Sequence, residues 1–241
     1  AKFLPEFDMN VQFKRSESLA LTYKQEVNFT DVNKLARGIV ANNYSSFFAG
    51  NAELVNASFH NVALRYSSYN LFNASNVYAR VSYRKTANQV NRNTIFEPRS
   101  VVSSSTYLNS LFDNENFNAF GRVEKTIKKI KMSLGGNFSY NKTFQFINSN
   151  ENTNESVSKG LISSIGTNFT KAPNVSLRYR VSFVDQSNSA RAADVKSIMH
   201  MPSFNFDAYI WDSLTAKSDF SYTETRQEGS VVNSFKRNKF S

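Results

Sequence analysis

Strict alternation of apolar and polar residues dominates this chain and limits it to folds built from β-strands. In residues 6–14, Phe7, Met9, Val11 and Phe13 alternate with charged or amide side chains. The same period recurs in five further stretches, at 19–29, 77–84, 130–140, 175–183 and 204–210. Because successive strand side chains point to opposite faces, each stretch predicts a strand with one apolar and one polar face. A short helix is predicted only within residues 31–44.

The connections between these strands fall into two classes that alternate along the chain. Short turns are predicted near residues 16–18, 70–76, 127–130, 171–174 and 212–213. Longer polar connections are predicted at 30–57, 86–116, 147–158, 185–196 and 224–231. This pattern predicts an antiparallel sheet with tight turns at one end and long loops at the other, an arrangement typical of outer-membrane barrels.

Composition excludes several classes of protein. No apolar run approaches the roughly 18–20 residues of a transmembrane helix, although barrel strands need only every second residue to be apolar. The absence of cysteine excludes disulfide frameworks and thiolate metal sites. The net charge of +10 permits an anionic partner without identifying one.

Alternation alone leaves open which face meets water. In a soluble sandwich the apolar face forms a core, whereas in a membrane barrel it meets lipid and the polar face lines the lumen. Strand lengths of about 9–12 residues and the many aromatic side chains at apolar positions favour an all-β, antiparallel transmembrane β-barrel over a secreted sandwich or adhesin. We then expect six side chains to face lipid: Leu64, Tyr66, Val81, Tyr83, Leu177 and Tyr179. We expect six others to face the lumen: Arg65, Arg80, Arg84, Arg122, Arg178 and Arg180.

The stretch that leads into the strand at 58–69 resembles a segment of TonB-dependent receptor barrels, in which a loop ends as G-N-P-x-L-x-P-E-x-S-H-N. Gly50, Asn51, Leu54, His60 and Asn61 match this pattern. Departures from it are Ala52, Asn56, Ala57 and Phe59. The segments 64–85 and 127–144 are similar to strand–turn–strand units of the same family, and the likeness is greatest to the Bacteroidota-type outer-membrane β-barrel family.

This resemblance implies a complete barrel of about 22 strands, of which residues 1–241 supply roughly ten or eleven within a single outer-membrane domain. The plug, the TonB box and the terminal strands would lie outside this chain. The implied function is uptake of a large nutrient, such as a siderophore, glycan or peptide, across a bacterial outer membrane. A non-transporting barrel that serves as a structural subunit of an outer-membrane complex is the alternative. The implied partners are outer-membrane lipid, a plug in the parent chain, a surface lipoprotein or another barrel.

No residue pattern supports catalysis, a cofactor or a metal site. The two histidines, His60 and His200, lack a second ligand at metal-binding spacing, and no nucleophile elbow is present. The lysines within 125–131 flank a predicted hairpin turn, which favours a solvated turn over nucleic-acid binding. For the arginines we favour a hydrated wall with charges paired to acidic residues over an anion site; the acidic candidates are Glu6, Asp8, Glu26, Glu124 and Asp219.

Overall fold

The computed structural model contains fifteen strands in one hydrogen-bonded sheet and one short helix. It describes residues 3–96, 102–170, 173–191, 194–210, 214–228 and 234–240. The elements are β1 (Glu6–Lys14), β2 (Glu17–Asn28), α1 (Val32–Leu35), β3 (Ile39–Asn43), β4 (Ser46–Ala49), β5 (Ala57–Asn70), β6 (Ser75–Ala87), β7 (Val90–Phe96), β8 (Ser103–Asn109), β9 (Asn114–Ile127), β10 (Ile130–Ile147), β11 (Asn150–Thr167), β12 (Asn174–Asn188), β13 (Val195–Ile210), β14 (Leu214–Gln227) and β15 (Ser234–Phe240).

Eleven strands form an antiparallel wall in the order β1-β2-β5-β6-β9-β10-β11-β12-β13-β14-β15. The wall follows chain order except where two long connections intervene, and its ends, β1 and β15, do not pair with each other, so the sheet is not closed. This architecture is compatible with a segment of a β-barrel. It confirms the prediction of an all-β chain whose strands form one largely antiparallel sheet. The number of strands exceeds the predicted ten or eleven, because four further strands lie within the long connections.

The other four strands, β3, β4, β7 and β8, form a loop sheet at one end of the wall. They lie within the predicted long connections 30–57 and 86–116, and β7 joins the loop sheet to the wall through Asn93 and Thr94 beside the end of β10. The pairings β4–β8 and β7–β10 are parallel. The expectation of a wholly antiparallel sheet is therefore wrong at these two contacts, where strands from different connections meet side by side.

One predicted long connection is wrong. At 147–158 the structure has a two-residue turn, Asn148–Ser149, between two strands of 18 residues each. Both turn residues have positive φ, 49° and 63°, as a tight hairpin turn with the twist of its strands requires. The Asn and Ser residues that indicated a loop instead lie within the paired strands β10 and β11. Asn152 of β11, for example, is the register partner of Gln145 of β10.

Two local predictions are confirmed. The predicted helix within 31–44 is α1, whose first turn is capped by the Asp31 carboxylate accepting a hydrogen bond from the Asn33 amide at 3.0 Å. The lysine cluster flanks a tight turn at Lys128 and Lys129 between β9 and β10. The turn predicted at 212–213 lies outside the described residues.

The wall has almost no hydrophobic core. In the described part of the chain, the only hydrophobic residues that are buried are Ala57, Phe144, Phe146 and Ala208. Large apolar side chains of the wall remain open, for example Leu134 at 63% and Leu161 at 57% exposure. The described residues therefore supply no second layer against which the apolar face packs.

Candidate functional site

The strand register places the six candidate lipid-facing residues on one face of the wall. Leu64 pairs with Val81 and Val62 pairs with Tyr83, and directly paired residues lie on the same face. Alternate residues of one strand also share a face, so all four lie on one side of the wall. Following the pairing across β9, β10 and β11 brings Leu177 and Tyr179 to the same side. We call this side the apolar face.

A charged row bounds the apolar face at the end that carries the loop sheet. Lys85, Glu115, Lys142 and Glu155 are register partners on four adjacent strands. Lys142 Nζ lies 2.8 Å from Glu155 Oε1, and this hydrogen bond raises the pKa of the Lys142 ammonium above its ordinary value. Opposite charges on neighbouring strands support each other at this rim.

An aromatic row lies directly inside the charged row. Tyr83, Phe117 and Tyr140 are register partners two residues further along their strands. Tyr23 joins them through its pairing with Val62 on β5. Beyond this row, apolar positions continue toward the short turns until Glu17 on β2 and Lys125 on β9.

The apolar band runs obliquely across the register. On β12 and β13 the charged residues that border the apolar band are Asp185 and Lys196, which are register partners. They lie one same-face position further from the loop sheet than the charged row. On β14 the corresponding residue is Glu224, which shares a register row with His200, Val181 and Leu161. The boundary is thus level from β6 to β11 and shifts from the row of Glu155 to the row of Leu161 between β11 and β14. Averaged over the strands from β6 to β14, the shift is about one residue per strand.

Lys159 is an exception to the apolar band. It lies between Phe138 and Phe183 in the register and borders a cavity with Asp185 and Lys196. A lysine stem can cover apolar surface while its ammonium reaches a charged rim, so this position does not interrupt the band.

Both histidines pair with tyrosines on the apolar face. Tyr23 Oη lies 2.9 Å from His60 Nδ1, and Tyr179 Oη lies 2.7 Å from His200 Nδ1. The rings stack with the same interplanar angle of 24° in each pair. Each tyrosine therefore satisfies a polar ring nitrogen on an otherwise apolar surface. Sequence reasoning missed these pairs because the partners are 37 and 21 residues apart.

The register places all six candidate lumen-facing arginines on the opposite side, which we call the polar face. Arg65 and Arg80 are direct cross-strand partners. Arg122 and Arg180 share one row, in which Gly135 and Ile162 separate them. Arg178 lies in the next row, and Arg84 places its guanidinium 4.0 Å from the centroid of the Phe59 ring.

The expected pairing of these arginines with acidic residues is largely wrong. Among the ion pairs of the described residues, only Arg122 of the six takes part, with Nη2 2.8 Å from Glu124 Oε2. Glu26 pairs instead with Lys24 at 3.1 Å, and Asp219 accepts a hydrogen bond from Asn205. Glu6 and Asp8 form no ion pair in the same set. The register puts acids and arginines on the same face, but on strands or rows that are too far apart for contact.

A cavity of about 250 Å³ opens on the polar face between Arg122, Arg178 and Arg180. Its remaining lining residues are Phe120, Ser133, Gly135, Ile162 and Ser164. The Ser133 and Ser164 hydroxyls lie 2.6 Å apart, and Arg122 Nη2 donates to Ser133 Oγ at 3.5 Å. Arginines from β9 and β12 therefore border a common space.

Backbone and amide hydrogen bonds join the loop sheet to the segments that precede and follow its strands. Asn109 Oδ1 accepts a hydrogen bond from the Val55 backbone amide, and Asn109 Nδ2 donates to the Val55 carbonyl, both at 2.9 Å. Asn109 Nδ2 also donates to the Asn88 carbonyl at 2.8 Å. The Asn51 amide donates to the Lys34 carbonyl at 2.7 Å, so the chain passes close to the end of α1. A Cβ on Gly50 would lie 2.0 Å from the Ala36 carbonyl oxygen, so this contact requires glycine.

Comparison with known proteins returned no match to a family model, a curated protein or a solved structure. No helix within the described residues is long and apolar enough to cross a membrane. Over the same residues, no group of three or more His, Asp or Glu side chains is arranged to hold a metal ion.

Proposed function

We propose that this chain forms part of the wall of an outer-membrane β-barrel that resembles TonB-dependent receptors and takes up a large nutrient. The observation that carries the proposal is the oblique apolar band. It lies on an unpartnered face, is edged by aromatic and charged rows, and is backed by a polar face that bears arginines.

The slant of the band matches barrel geometry. The average shift of about one residue per strand between β6 and β14 corresponds to ~3.3 Å along the strand for every ~4.8 Å across the sheet. A band that is level in a membrane then requires strands tilted by about 35°, within the range of closed barrels. A face that packs on a second sheet has no reason to follow this slope.

The band also has a suitable height. On β10 it extends from Ile130 to Tyr140, which spans roughly 33 Å along the strand and about 27 Å after correction for the tilt. The apolar band of outer-membrane barrels is about 25 Å tall. The loop sheet then lies on the side of the longer connections, which in such barrels is external.

Single cysteines test the assignment of the two faces, because the chain has none of its own. Leu64→Cys and the matched neighbour Ala63→Cys are introduced into the protein expressed from its complete gene in outer membranes. We expect a lipid-soluble maleimide to label position 64 and a charged, water-soluble maleimide to label position 63. Equal labelling of both positions by the water-soluble reagent, or release of the protein from membranes by alkaline carbonate, would contradict the proposal.

Uptake is tested by deleting the gene and comparing growth on iron–siderophore complexes, glycans and peptides as single sources. We expect loss of growth on one of these nutrient classes, restored by the intact gene. Normal growth on all three classes, with the protein still in the outer membrane, would reject transport.

A structural subunit of an outer-membrane complex is the second candidate. The observation that favours it is exposed apolar surface on the loop sheet, with Ile39 at 78% and Phe96 at 60% exposure. Exposed apolar side chains on the loop sheet are available for contact with a protein partner. Native-mass measurement of the detergent-extracted protein separates the two, since a stable complex exceeds the mass of one barrel and dissociates in an Ile39→Asp variant.

A further inference from the structure

We infer that Arg122, Arg178 and Arg180 form a binding site for a carboxylate or phosphate group of an anionic nutrient. The inference deepens the proposed function, on which it rests for the assignment of the polar face to the barrel interior. It names the chemical class of the solute that the interior takes.

Three cations from two strands that are not adjacent border one small space. Arg122 comes from β9, whereas Arg178 and Arg180 come from β12, and β10 and β11 lie between them. The floor is formed by Ser133 and Gly135 of β10 and by Ile162 and Ser164 of β11. A Cβ at Gly135 would lie 3.1 Å from the Gly121 carbonyl oxygen, so the floor accommodates little more than glycine.

The positive charge around this cavity is not neutralised by neighbouring acids. Within the described chain, neither Arg178 nor Arg180 takes part in an ion pair, and Arg122 shares Glu124 with Lys131, whose Nζ is 2.9 Å from Glu124 Oε1. Arg122 and Lys131 therefore share one carboxylate, and Arg178 and Arg180 have none. An arrangement of this kind attracts an anion from solution.

The hydrogen-bonding groups suit an oxyanion. Guanidinium forks bind carboxylates and phosphates through two parallel N–H donors, which distinguishes them from a lysine ammonium. The Ser133 and Ser164 hydroxyls share one hydrogen in their mutual bond and retain one more to donate. Glu124 is not part of the cavity lining; it positions the Arg122 guanidinium beside Ser133.

The cavity lies at the level of the apolar band. Arg122 lies between Gly121 and Val123, and Arg180 lies between Tyr179 and Val181, all within the apolar band of the other face. The lining residues Ser133 and Arg178 are closer to the short-turn end of their strands than to the end that carries the loop sheet. A cavity of about 250 Å³ holds one small anionic group, which favours a solute over an acidic protein segment.

The test is calorimetric titration of the full-length protein, purified in detergent at low salt, with citrate and with pyrophosphate as probes. We expect the double variant Arg178→Gln/Arg180→Gln to weaken binding of at least one probe by about tenfold or more, since it removes two charged donors. Arg84→Gln is the matched control: it removes an arginine of the same face outside the cavity and should change affinity by less than about twofold.

Ser164→Asp provides a second variant that keeps all three arginines and places an internal carboxylate in the floor. It should abolish probe binding while the heat-dependent gel mobility of the folded barrel stays unchanged. No binding by the unaltered protein, or equal losses in the Arg84 and Arg178/Arg180 variants, would overturn the inference. Failure of the proposed function is seen separately, in the cysteine labelling, because the titration does not depend on membrane insertion.

Discussion

The wall and the loop sheet are both β-structure, yet they are stabilised in different ways. The wall repeats one simple rule, apolar on one side and polar on the other, and its apolar residues stay exposed. The loop sheet depends on individual contacts, such as the three hydrogen bonds of Asn109 and the close approach of Gly50 to Ala36. The wall should therefore tolerate changes that preserve its pattern, and the loop sheet should not tolerate the loss of single contacts.

The largest expected effect comes from placing charge on the apolar face of the wall. Leu134→Arg should destabilise the folded protein in lipid by about 2–4 kcal/mol, because the band centre is the most costly depth for a cation. Ser139→Arg on the same strand but the polar face should cost less than about 1 kcal/mol. Urea unfolding in lipid vesicles measures both, and similar losses for the two variants would contradict the assignment of the faces.

A smaller effect is expected from the loop sheet. Gly50→Ala brings a methyl group against the Ala36 carbonyl and should weaken this region by about 1–3 kcal/mol, with faster amide exchange over residues 30–56. The wall should keep its own exchange rates. Gly121→Ala is the control, since nothing lies within 4 Å of a Cβ built there. Uniform acceleration of exchange in the wall would show that the two regions are not independent.

The smallest effect concerns the Tyr–His pairs of the apolar face. Tyr23→Phe leaves His60 Nδ1 without its partner and should cost about 0.5–1.5 kcal/mol in the same urea assay. Tyr140→Phe, which lies in the same aromatic row, should be close to neutral because its hydroxyl makes no hydrogen bond among the described residues. A larger loss of stability for Tyr140→Phe than for Tyr23→Phe would show that the Tyr–His hydrogen bonds do not stabilise this face.

The wall could be predicted from sequence because its rule is local. Alternation places Leu64 and Arg65 on opposite faces without knowledge of any neighbour, and the register carries the same division to Tyr179 and Arg180. The sites of most turns follow from polar residues between such stretches. The hairpin at Asn148–Ser149 escaped prediction because Asn and Ser suit both loops and the polar rim of a strand.

The candidate site was predicted only in part. The residue types and their common face could be deduced, but the grouping of Arg122 with Arg178 depends on the order and register of four strands, because β10 and β11 lie between β9 and β12. The same holds for ion pairs: Glu124 reaches Arg122, whereas Glu26 is taken by Lys24 on its own strand. The parallel contacts of the loop sheet likewise join residues more than fifty positions apart, as in Ser46 beside Ser103.

The antiparallel order of the wall has a consequence for how such a protein changes in size. Each strand of the wall runs antiparallel to its neighbours, so two consecutive strands return the chain to the same end of the wall. Duplication or deletion of a whole hairpin, such as β12 with β13, would therefore keep the remaining connections at their own ends, whereas gain or loss of one strand would reverse the chain direction. Growth by repetition in steps of two is therefore built into the geometry of this wall.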